Sequence, residues 1–152
     1  MTLKLVIQNV SGIEDLPIFS LWEHWLQTAL QNHTSTAEIT LRIVNEAESA
    51  DINWRSRQKS GPTNILSFPF TDMPGISDNG IIGDIVICAP LALQEACHRN
   101  IDSTEHFAHL FVHGLLHLLG YDHHNQPDTL IMESLEVKIL QQLAYGNPYA
   151  ES

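Results

Sequence analysis

Basic residues are scarce in this chain: seven Lys and Arg stand against 18 Asp and Glu, a formal net charge of −11 over 152 residues. That balance argues against a nucleic-acid partner held by bulk electrostatics. Three of the seven, Arg55, Arg57 and Lys59, nevertheless crowd into one short stretch. The cluster reads either as a solvated loop or as a local phosphate contact. Cysteine is nearly absent too: Cys88 and Cys97 make no disulfide framework and are expected to be reduced and semi-buried. No apolar run approaches the ~18 residues of a membrane span. The opening residues alternate into a strand and lack a secretory apolar core and cleavage site, so cytoplasmic residence is the default expectation. There are no repeats, low-complexity tracts or interior linkers, and the chain is expected to form a single domain over residues 1–152.

What the chain does have is concentrated between His113 and His123, which reads H-G-L-L-H-L-L-G-Y-D-H. Residues four apart stack on one face of a helix, so His113 and His117 can aim at one centre. Gly120 stands where a helix would end in the left-handed conformation, and a chain turned back there can bring in His123. Three imidazoles with an open fourth position describe a catalytic rather than a closed structural metal site. Zn²⁺ is the default occupant, although Ni²⁺, Co²⁺ or Cu²⁺ would accept the same donors. One residue is missing. The spacing is that of the metzincin helix, but the Glu that serves as general base in H-E-x-x-H is replaced by Gly114. An ordinary metalloprotease mechanism is therefore not expected.

Periodicity places the remaining elements around this helix. Strands are expected at residues 3–10, 37–44, Thr63–Phe68 and Ile81–Cys88. Helices are expected at about 17–32, opened by Pro17; at 46–56; at 90–99, opened by Pro90; at 104–119, capped by Ser103; and at 127–144, opened by Pro127. Residues 71–80 are rich in turn formers and read as a loop. Trp22 and Trp25 read as core, and Met132 as packing beneath the metal rather than a ligand. The result is an α+β fold: a small, mixed sheet of about four strands packed with helices, the metzincin-like metal helix at its centre. Strand directions are not recoverable from the pattern. Asp84 interrupts a buried strand and must be either paired or turned toward a site. His109, one turn before His113, is either a core or supporting residue or a further ligand. Asp122 could orient a ligand imidazole or serve the turn, and His124 is either an accidental neighbour of His123 or a wet acid/base group.

Zn²⁺ on three neutral imidazoles can lower the pKa of its bound water to about 7, supplying hydroxide without a Glu. Phosphodiester cleavage would further need stabilisation of an anionic transition state. Arg57 and Arg55 are the candidates for that role, Lys59 is a weaker point charge, and Ser67 could donate a hydrogen bond.

The motifs together resemble those of the YbeY family of bacterial rRNA maturation factors, single-strand-specific endoribonucleases. The likeness rests on H-G-L-L-H-L-L-G-Y-D-H at 113–123, P-T-N-I-L-S-F-P-F at 62–70 and G-D-I-V-I at 83–87, and runs over about 37–149 to end in Gly-Asn-Pro-Tyr. The resemblance implies one Zn²⁺ per chain on His113, His117 and His123, a cytoplasmic role in 16S rRNA 3′-end processing and ribosome quality control, and rRNA and ribosomal proteins as partners. It also implies a functional arginine, which the pattern N-x-x-Y-R-x-K/x-D-x-P-T places at Arg57; Ser56 and Ser60 depart from that pattern. Two rivals remain at this stage: a metal-dependent hydrolase of another substrate, and a non-catalytic assembly factor whose metal is structural, closed by a fourth ligand such as His109 or Asp122.

Overall fold

The structure is a computed structural model, and it describes residues 2–70 and 80–150. In chain order the elements are β1 (Thr2–Asn9), α1 (Phe19–Leu30), β2 (Thr36–Val44), α2 (Glu46–Arg57), β3 (Ile65–Pro69), β4 (Gly80–Cys88), α3 (Ala89–His98), α4 (Ser103–Leu118) and α5 (Gln126–Gln142). The α+β architecture with a four-stranded mixed sheet is as expected. The sheet order is β1-β2-β4-β3, with β1, β2 and β4 parallel and β3 antiparallel to β4 at the edge. The loop expected at 71–80 lies outside the described residues except for Gly80, which begins β4.

The core forms where the apolar stripes of α1 and α4 meet the sheet. Trp22 and Trp25 are buried and meet edge to face at 4.9 Å, and Trp22 packs in the same way on Phe107 and Phe111 of α4. Each such buried aromatic contributes roughly 1.5–3 kcal/mol through the area it removes from water. With Phe107, Ala108, Phe111, Val112, Leu115 and Leu116 all buried, α4 is the central helix, and its histidine-bearing turns are fixed by packing. Among the described residues, no helix is long and apolar enough to cross a membrane.

Most boundaries shift by one or two residues from expectation, and three differences have a clear local reason. α1 begins at Phe19 rather than Pro17, whose carbonyl accepts the Trp22 indole N–H at 2.9 Å; Phe19 itself is exposed. Asp102, not Ser103, caps α4: its carboxylate accepts the Thr104 N–H at 2.8 Å. β3 starts at Ile65 rather than Thr63, because the Thr63 amide and carbonyl are both bonded to the Ser49 hydroxyl.

Candidate metal centre and cleft

α4 ends in a complete Schellman motif. The Gly120 N–H donates to the His117 carbonyl and the Tyr121 N–H to the Leu116 carbonyl, each at 3.0 Å, with Gly120 at φ +104°. This reversal returns the chain over the end of α4 and carries His123 to the two helical histidines. Ring centroids lie 4.6 Å apart for His113 and His117, 5.0 Å for His117 and His123, and 5.7 Å for His113 and His123. One nitrogen from each ring lies within 4.8 Å of the others, so the three could hold a metal ion.

The donor set fits a tetrahedral cation. Nε2 of His113 and Nε2 of His117 are 3.0 Å apart; ligand nitrogens on one Zn²⁺ would be separated by roughly 3.3 Å. Two imidazole nitrogens this close repel unless a proton or a cation lies between them. Burial, then the neighbouring His113 charge, lowers the pKa of His117 and favours the neutral form that ligation requires.

Behind the cluster lies a residue that the periodicity reading passed over. Glu136 of α5 is fully buried, and its Oε1 receives His113 Nδ1 at 2.7 Å. Its Oε2 receives His109 Nε2 at 2.9 Å and the Tyr149 hydroxyl at 2.5 Å. Burial pushes this carboxyl up, but the hydrogen bonds from His109, His113 and Tyr149 prevail and bring it down to about 2. The signal was a charged residue at helical spacing from Met132, Ile139 and Leu140 on the buried face of α5. His109 is thus turned to Glu136, outside the three-histidine cluster.

Asp122 takes part in the turn: its Oδ1 accepts the His123 N–H at 2.8 Å and lies 3.4 Å from His123 Nδ1, while its Oδ2 lies 2.9 Å from His124 Nε2. His124 is otherwise exposed. Asp84 is half-buried between Thr40 and Phe68 in the sheet register, and burial raises its pKa; it is not among the described residues lining the histidine cleft.

That cleft has a volume of about 690 Å³ and brings His113, His117 and His123 together with Arg57, Lys59 and Ser67. Arg57 closes α2, and Gln58 at φ 52° then turns the chain. Buried Ser49 and Asn53 fix the following loop, Asn53 Nδ2 donating to the Gly61 carbonyl at 2.9 Å. The Arg57 guanidinium donates to the Ser67 carbonyl at 3.2 Å and stands over the Phe68 ring at 5.6 Å. Arg55 turns away to Asp51 at 3.1 Å and does not line the cleft. The Ser67 hydroxyl donates to the Gly114 carbonyl at 3.3 Å, tying β3 to α4.

The same contact accounts for the missing Glu. A Cβ on Gly114 would lie 2.9 Å from Ile65 Cδ1 and 3.0 Å from Ser67 Oγ, so β3 occupies the space of a side chain. Gly114→Glu is expected to cost on the order of 3 kcal/mol through overpacking and a buried charge, read as a lower urea midpoint. A variant as stable as the wild type would contradict this close helix–strand contact.

A family model described as "Endoribonuclease YbeY" matches residues 7–144, beginning well before the motifs. Proteins named Endoribonuclease YbeY from Coxiella burnetii (strain RSA 493 / Nine Mile phase I) and Nitrosococcus oceani are each 44% identical to the chain. The first match covers 98% of this chain and 99% of the relative, the second 98% of each. The solution structure of TM1509 from Thermotoga maritima shares the fold with a TM-score of 0.58 at 18% identity, covering 96% of this chain and 100% of that one.

Proposed function

The chain belongs to the Endoribonuclease YbeY family, and we propose that it is a Zn²⁺-dependent, single-strand-specific endoribonuclease formed by one hydrolase domain over residues 1–152. We place it in the cytoplasm, in 16S rRNA 3′-end maturation and ribosome quality control, with ribosomal proteins as further partners. The observation that carries this reading is the convergence of His113, His117 and His123 with Arg57 and Lys59 in one cleft of a strongly acidic protein.

His113, His117 and His123 would hold the ion, which when bound supplies a Lewis acid that activates water at neutral pH. The protein's own residues do the rest. Arg57, held by the Ser67 carbonyl and the Phe68 face, is preorganised to stabilise charge developing on the phosphodiester oxygens. Lys59 adds a positive charge at the mouth, and Ser67 holds β3 against α4 so that the cleft wall keeps its shape. Arg55, exposed and paired to Asp51, supplies only long-range attraction. A Glu base is not required and does not fit. His109, engaged by Glu136, is not placed to close the site as a fourth ligand, which counts against a purely structural metal.

The test is cleavage of a labelled single-stranded 16S rRNA 3′-end fragment and of its duplex, with binding measured as salt is varied. With two cations in the cleft, the affinity for the single strand should be weak, and its logarithm should fall with log[salt] at a slope of roughly −1.4. Cleavage of the duplex as fast as the single strand, or tight binding insensitive to salt, would contradict the reading.

A further inference from the structure

The Gly146-Asn147-Pro148-Tyr149 tetrad belongs to the motif set of this chain but takes no place in the histidine cleft. Its contacts form a clasp nonetheless. Asn147 Oδ1 accepts the Tyr149 N–H at 2.8 Å, and Arg99 donates to the Pro148 carbonyl at 2.7 Å. Tyr149 is left 42% exposed, its ring standing edge-on to His109 at 5.6 Å, while its hydroxyl alone reaches the fully buried Glu136. A Phe would make the same ring contacts; only the oxygen makes the inward one.

We propose that Tyr149 is a positioning residue of the histidine centre: its hydroxyl, acting through Glu136, holds His113 in the orientation that presents Nε2 to the metal. This rests on the reading that the cluster binds a metal ion. A carboxylate held at one oxygen can swing about its own axis. Glu136 is held at both, by His113 on Oε1 and by His109 and Tyr149 on Oε2. The His113 Nδ1–H bond to Glu136 fixes the tautomer with a free lone pair on Nε2, and such outer partners set the affinity of a ligand imidazole. Burial and the adjacent Glu136 raise the Tyr149 phenol well above its ordinary pKa, so the group stays a donor. The C-terminal tail would then be a third layer of the centre, built outward as His113, Glu136 and Tyr149.

The experiment is a Zn²⁺ titration of the metal-free, full-length protein against a chromophoric chelator, for wild type, Tyr149→Phe, Glu136→Met and the double variant, with melting temperatures taken alongside. Tyr149→Phe should weaken Zn²⁺ binding about tenfold, at the low end of the ~10–100-fold cost of losing an outer partner. In the Glu136→Met background it should change nothing further, because the carboxylate through which it acts is gone. Should Tyr149→Phe bind Zn²⁺ as tightly as wild type, whatever its melting temperature, the tail is a pin for the fold and the proposal is overturned. Should Glu136→Met fail to fold, the single Tyr149→Phe titration still decides. A wild type that binds no Zn²⁺ overturns the metal reading and this proposal together. A wild type that binds Zn²⁺ but cuts no RNA overturns only the ribonuclease reading.

Discussion

Arg57→Ala is expected to lower the rate of RNA cleavage about 10²–10³-fold and to leave the bound metal unchanged. That magnitude is the ordinary loss when one preorganised donor to a developing anion is removed. Arg57 fits the part because it is preset: among the described residues no carboxylate is paired with it, and its partners are a carbonyl oxygen and an aromatic face. Its charge is therefore not neutralised before a phosphodiester arrives. Arg57→Lys should recover only part of the rate, since an ammonium keeps the charge but not the planar fork. Single-turnover kinetics with metal content measured on the same samples check the prediction. A variant that cuts like wild type would remove Arg57 from the mechanism, and one that loses its metal would make the arginine structural.

His117→Ala is expected to abolish both metal binding and cleavage while the chain stays folded. Removing one of three imidazoles leaves two donors, too few for the site as built. The ring lines the cleft beside the other two histidines and is only partly buried, so its loss should change the stability of the metal-free protein by about 1 kcal/mol. The difference appears on adding Zn²⁺. Wild type should gain about 4 kcal/mol at a thousandfold excess over its dissociation constant, read as a higher melting temperature, and the variant should gain nothing. Equal Zn²⁺-induced stabilisation of the two proteins would place the metal elsewhere.

The histidine cluster could be read in the sequence because its geometry is local. Spacing on one helix aligns His113 with His117, and the turn chemistry of Gly120 brings back His123 within a few residues. Trp22 and Trp25 were legible for the same reason: helical period alone assigns them to a buried face. Strand order was not legible, since nothing in the alternation of β3 says that it runs antiparallel at the edge while β1, β2 and β4 are parallel. Contacts between distant segments were hidden likewise. By residue type alone Arg55 and Arg57 look equivalent, and only the family pattern singles out Arg57; in the fold Arg55 finds Asp51 one turn back on its own helix, whereas Arg57 finds β3. Glu136 left a trace that periodicity could have caught, a carboxylate in the stripe of Met132 and Ile139. What it pairs with required the fold, because His109, His113 and Tyr149 come from α4 and the tail.

The most direct test is to assay labelled single-stranded RNA cleavage by wild type, Arg57→Ala and His117→Ala, with metal content determined for each preparation. Wild type should cut and carry one Zn²⁺ per chain, Arg57→Ala should carry the metal and fail to cut, and His117→Ala should lose both. If all three preparations cut alike, the cleavage does not come from this cleft, and the protein is better described as an assembly factor than as a ribonuclease.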